Sequence, residues 1–98
     1  MSQVAVVAIN TAKPGKEAEL EAALRALIAP TRSDRGFITY DLHRDIQDPR
    51  TFVFIELWAS LEDLQVHGKA AHIEAFRAKS GELVESSSLR ILSKVADQ

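Results

Sequence analysis

Apolar residues recur along this chain with two periods, near 2 and near 3.6, and the switches between them mark out the elements. Gln3 to Thr11 reads as a strand whose alternating sets are both apolar: Val4, Val6 and Ala8 against Ala5, Val7 and Ile9. A strand covered on one side only alternates with polar residues, so something must cover each face. Lys13-Pro14-Gly15-Lys16 is a turn. A helix is expected from about Glu17, with Leu20, Leu24, Leu27 and Ile28 in one stripe. Glu17, Glu19 and Glu21 suit its positive N-terminal end. Pro30 lacks a backbone donor and should end or kink this helix, and Gly36 is a breaker beyond it.

Phe37 to Asp45 is a second strand, with Phe37, Thr39, Asp41 and His43 on one face and Ile38, Tyr40, Leu42 and Arg44 on the other. After a turn at Gln47-Asp48-Pro49-Arg50 comes the strongest strand, Thr51 to Ala59. Val53, Ile55 and Leu57 are expected in its core face; Phe52, Phe54, Glu56 and Trp58 form the other. Ser60-Leu61-Glu62-Asp63 reads as a capping box opening a helix with Leu61, Leu64 and Val66. Gly68 should interrupt it before a further helical stretch with Ile73, Ala75 and Phe76. Gly81 to Glu85 is expected as a loop, and Ser87 to Val95 as a last, edge strand with Leu89, Ile91 and Val95 on one side.

The order β-α-β-β-α-β predicts an α+β, ferredoxin-like sandwich with an antiparallel sheet and both helices on one face. The other sheet face is then apolar as well, a larger patch than monomers usually leave bare. The expectation is a homodimer with two sheets packed face to face, and an apolar pocket beside them.

Composition narrows the partners. At 98 residues the chain fits one domain, residues 1–98. Twelve basic and 14 acidic residues give a net charge of −2, and the arginines are scattered among acids, so nucleic acid is not an expected partner. There is no cysteine, which removes disulfide and thiolate chemistry. The apolar run at the N-terminus is too short to span a membrane and carries no leader signature, so a cytoplasmic location is expected, with no membrane partner.

Candidate chemistry concentrates between Tyr40 and Phe76. Glu56 lies in an aromatic row, where a carboxylate must find a partner or shift its pKa upward. It reads either as an acid–base group or as a structural anchor. His67 and His72 are five apart, about 140° around a continuous helix, whereas metal pairs sit at i, i+4. No metal site is expected. A bend at Gly68 would bring the two rings together for acid–base work; structural roles remain open for both. Trp58 and Tyr40 read as pocket walls or as core. His43, near a hairpin end, reads as solvated, and Asn10 either points inward or closes its strand.

Gly36-x-x-x-Tyr40, then Phe54-x-Glu56-x-Trp58, then His67 and His72, resemble the antibiotic biosynthesis monooxygenase domain, most closely in the stretch FIELWASLEDLQVHGKAAHIEAF from Phe54 to Phe76. The resemblance covers nearly the whole chain. It implies a dimeric α+β barrel with a pocket in each subunit. It also implies oxidation of a small phenol or quinol by O2 with no cofactor. His67, His72, Tyr40 and Glu56 would be the catalytic groups, and Trp58, Phe54, Phe76 and Arg44 would contact substrate. Two departures stand out. Aromatic-hydroxylating members carry an Asn where Phe54 stands, and haem-degrading relatives need an axial His where this chain reads Glu74-Ala75-Phe76-Arg77. Another relative isomerises a phosphorylated diketone, for which His67, His72, Arg44 and Lys69 would serve. A third reading is a non-catalytic ligand-binding dimer module.

Overall fold

A computed structural model describes residues 2–96. Eight elements follow in order: β1 (Val4–Ala12), α1 (Glu17–Arg25), α2 (Ile28–Thr31), β2 (Phe37–Arg44), β3 (Thr51–Trp58), α3 (Leu61–His67), α4 (Ala71–Leu83) and β4 (Val84–Leu92). The strands form one antiparallel sheet in the order β2-β3-β1-β4. This is the ferredoxin-like α+β arrangement that the element order predicts.

The inward side of β3 is the reverse of the expectation. Phe52, Phe54, Glu56 and Trp58 face the helices and are buried, while Ile55 on the other face is 48% exposed. Both sets are apolar, so alternation alone cannot choose between them. Ring size does: three aromatic side chains bury more area than Val53, Ile55 and Leu57. Val4, Val6 and Ala12 of β1 join them, with Leu20, Leu24 and Leu27 packing from above.

A second correction concerns β2. Phe37 pairs with Trp58 and Thr39 with Leu57, so Ile38 is an extra residue. Such a bulge shifts the side-chain parity of the strand. It puts Phe37 on the same side as Tyr40 and Leu42, although Phe37 and Tyr40 are three positions apart. The Phe37 and Trp58 rings meet edge to face at 6.4 Å.

The helices differ from expectation in three places. The first helix stops at Arg25, before Pro30, and Pro30 instead sits in the first turn of the four-residue α2. An N–H is unpaired there in any helix, so proline costs nothing. Gly81 lies inside α4, which runs straight into β4 with no loop; Lys13 Nζ donates to its carbonyl at 2.7 Å. Ile91 and Leu89 belong to β4 as expected, but Val95 lies beyond its end and is fully exposed. The capping of α3 is as expected on one side: Ser60 Oγ accepts from the Asp63 N–H at 3.1 Å. Asp63 does not reach back; its Oδ1 takes the Arg35 Nε–H at 2.6 Å.

That contact docks the segment before β2 onto α3. The Ala59 N–H donates to the Gly36 carbonyl at 2.8 Å, and Gly36 itself has φ +80°. A Cβ at residue 36 would fall on the Asp63 carboxylate. We therefore predict that Gly36→Ala costs about 2–3 kcal/mol of unfolding free energy, from the left-handed backbone and the displaced Asp63 together. Urea denaturation checks this, and an unchanged midpoint would refute it.

Candidate active site

Between the sheet and the helices lies a cavity of about 480 Å³. Its floor is Ala8, Phe54 and Glu56, and the small Ala8 side chain opposite Phe54 is what leaves room. Leu64, Ile73 and Phe76 of α3 and α4 form much of its walls. Leu89 and Ile91 close it on the β4 side, yet they are 58% and 50% exposed, so the cavity is open along this edge.

The polar groups converge on one end. Register sets Tyr40 directly beside Glu56 on neighbouring strands. The Trp58 Nε1–H donates to Glu56 Oε1 at 2.9 Å. Burial pushes the Glu56 carboxyl up to about 7, against that hydrogen bond. Burial, with the Glu56 charge adding to it, likewise holds the Tyr40 phenol well above its ordinary value. Tyr40 is therefore a hydrogen-bond donor at neutral pH, not a base.

His67 is the last residue of α3 and lies on the cavity wall. Its ring sits 4.5 Å from that of Trp58 and 5.4 Å from that of Tyr40. Its Nδ1 is 2.8 Å from Asp34 Oδ2. A carboxylate only accepts, so Nδ1 carries the proton and Nε2 keeps the lone pair. Desolvation lowers the His67 pKa, with Asp34 opposing. The ring is thus neutral near pH 7, as a base must be.

The helix does break at Gly68, as expected, and the two imidazoles do converge: their centroids are 5.8 Å apart. His72 stands behind His67. Its Nε2 is 2.9 Å from Thr31 Oγ1 and 3.4 Å from Asp34 Oδ2. Thr31 and Asp34 were not legible as site residues. Thr31 is fully buried, and both approach the histidines only in the folded chain. The one local signal is Asp34 two residues before a Gly that the backbone requires.

Of the expected site residues, His67, Tyr40, Glu56, Phe54 and Phe76 line the cavity. Trp58 lies behind Glu56 and His67 with no exposed surface. Arg44 does not line it: at the far end of β2 it pairs with Glu21 and sits 5.0 Å over the Phe52 ring. Lys69 does not line it either; the cation on the wall is Arg77, which pairs with Glu74. Asn10 lines the cavity, and the Nδ1 of exposed His43 lies 3.1 Å from the Asp41 carbonyl.

Among the described residues no helix is long and apolar enough to cross a membrane. The family profile described as antibiotic biosynthesis monooxygenase matches residues 3–79. YcnE of Bacillus subtilis, provisionally named a monooxygenase, is 31% identical over 74 residues, covering 76% of this chain and 78% of its own. Rv0793 of Mycobacterium tuberculosis, with the same provisional name, is 36% identical over 83 residues, covering 85% of this chain and 81% of its own. Its solved structure superposes with a TM-score of 0.91 over 98% of each chain. That of PA3566 from Pseudomonas aeruginosa gives 0.92 at 33% identity, over 98% of this chain and 97% of that one.

The raised Glu56 pKa has a consequence for stability. The fold favours the protonated form, so the contribution of this group is complete below pH 4.5 and is lost as pH rises to about 7. Glu56→Gln keeps the shape of the neutral acid and escapes that loss. We predict that the variant gains stability relative to the parent between pH 5 and pH 8, by roughly 2–3 kcal/mol. Urea unfolding at both pH values tests it; a pH-independent difference would show that Glu56 titrates normally.

Proposed function

This chain belongs to the antibiotic biosynthesis monooxygenase family, and we propose that it is a cofactor-independent monooxygenase, acting as a homodimer on a small phenol or quinol with O2. The observation that carries this reading is His67: a neutral imidazole on the wall of a largely apolar cavity, with Asp34 bonded to its far nitrogen. A substrate phenol donates its proton to Nε2, and the Asp34 carboxylate stabilises the imidazolium that forms. The electron-rich phenolate passes an electron to O2. Recombination gives a carbon-bound peroxide, which loses water as the proton returns from His67. The sum, phenol plus O2 to quinone plus water, balances with no outside reductant. Tyr40 supplies a donor to the developing oxygen charge. Phe54 and Phe76 offer apolar surface to an aromatic ring.

The test is O2 uptake with simple phenols and quinols in the presence of chelator. His67→Ala is expected to lower kcat by about 10²–10⁴-fold. Asp34→Asn is expected to lower kcat by roughly tenfold or more with KM little changed, since Asp34 positions the base without touching substrate. Unchanged uptake in both variants would remove this pair from the mechanism.

The homodimer rests on the helix-free sheet face. Ala5, Val7 and Ile9 of β1 lie beside Leu57, Ile55 and Val53 of β3, an apolar centre. Burying each large apolar side chain contributes roughly 1.5–3 kcal/mol. One row across this face reads Asp41, Ile55, Val7, Arg90, with an acid at one edge and a base at the other. A two-fold axis parallel to the strands sets Asp41 of one copy against Arg90 of the other. An axis across the strands sets like against like. We predict that Asp41→Arg or Arg90→Asp alone weakens the dimer and that the double exchange restores it, as read by sedimentation at micromolar concentration. A parent mass near 10.8 kDa would overturn the dimer.

A further inference from the structure

Orienting His67 takes one carboxylate, yet Asp34 meets two imidazoles. Asp34 Oδ2 is 2.8 Å from His67 Nδ1 and 3.4 Å from His72 Nε2, and the three atoms all lie within 4.8 Å of one another. The residues come from three separate places: the segment before β2, the end of α3 and the start of α4. Their side chains are only 19%, 7% and 18% exposed. Among the described residues, no Lys or Arg pairs with Asp34; Arg35 next to it turns to Glu62 and Asp63. The carboxylate therefore sits part-buried with only imidazole partners.

Donors bound to one ion at about 2.0–2.2 Å stand about 3 Å apart when octahedral and about 3.3 Å apart when tetrahedral. Two of the three edges of this triangle already have that size. Two imidazoles and one carboxylate are a borderline donor set, suited to zinc and its neighbours in the first transition row. The buried Thr31 hydroxyl, 2.9 Å from His72 Nε2, is a further polar group beside the three donors.

We propose that Asp34, His67 and His72 form a binding site for one divalent ion of the Zn2+ class, and that its occupancy inhibits the enzyme. The ion takes Nδ1 of His67 and the Asp34 carboxylate together. It replaces the proton between them, and the positive charge beside the ring disfavours proton uptake at Nε2. The site is regulatory: the apo protein is the active form. The inhibitory half rests on the function proposed above; binding does not.

The experiment uses the full chain, stripped with EDTA. Co2+ is titrated in and followed by its visible d–d absorption, then displaced with Zn2+. One equivalent of Co2+ should saturate the signal. His72→Gln and Asp34→Asn should each weaken binding by more than about tenfold, with circular dichroism confirming that both fold. His43→Gln, on the exposed β2 edge, should bind as the parent does. No saturable Co2+ signal, or one that survives in both site variants, would overturn the proposal. In a second arm, Zn2+ should slow O2 uptake by the parent and EDTA should restore it. Binding with undiminished turnover would overturn the inhibitory role. Binding without any turnover to inhibit would instead count against the monooxygenase reading, leaving the ion site standing.

Discussion

The burial of Trp58 is the constraint from which both fold and site follow. It is the largest side chain with no exposed surface, and it ends the row of β3 residues that turns toward the helices. Its ring touches Phe37 on one side and His67 on the other, and its indole N–H holds Glu56. A buried indole needs an acceptor. Glu56 provides it, and is itself held against solvent by doing so. The pair ties a core position to a polar group in the cavity, so packing and site chemistry cannot be altered separately there.

Strong local patterning made most of the architecture legible in the sequence. The stripe Leu20, Leu24, Leu27 made a helix plain, Ser60 with Asp63 marked a helix start, and Gly68 marked a break. The order of elements then left few ways to arrange the sheet. What could not be read was parity. Both sides of β3 are apolar, and the choice between them depends on the volume the helices must enclose. The bulge at Ile38 has no signature in its own residue type; it exists because Phe37 and Tyr40 both have to reach the core.

The site was half legible for a related reason. Glu56, Tyr40 and His67 stood out in the sequence by residue type and by their place in the pattern, although alternation did not say that the face of β3 carrying Glu56 turns inward. Thr31 and Asp34 stand 41 and 33 residues from the histidines they meet. Their role depends on the segment before β2 being clasped to α3 through Arg35, Gly36 and Asp63. Arg44 shows the converse error: a residue on the correct face of β2, but too far along the strand to reach the cavity.

Ile38 adds length to β2 without adding a partner. Phe37 faces Trp58 on one side of it and Thr39 faces Leu57 on the other, so β2 carries one residue more than the stretch of β3 it covers. Loss of that one residue would still leave Phe37 opposite Trp58, now by plain alternation, and would remove the local bend that a bulge puts in a strand. What would move is the direction in which the chain enters β2. The segment that carries Asp34, Arg35 and Gly36 to His67 and Asp63 would be re-aimed. The bulge thus sets the aim of that segment more than it sets the packing of Phe37.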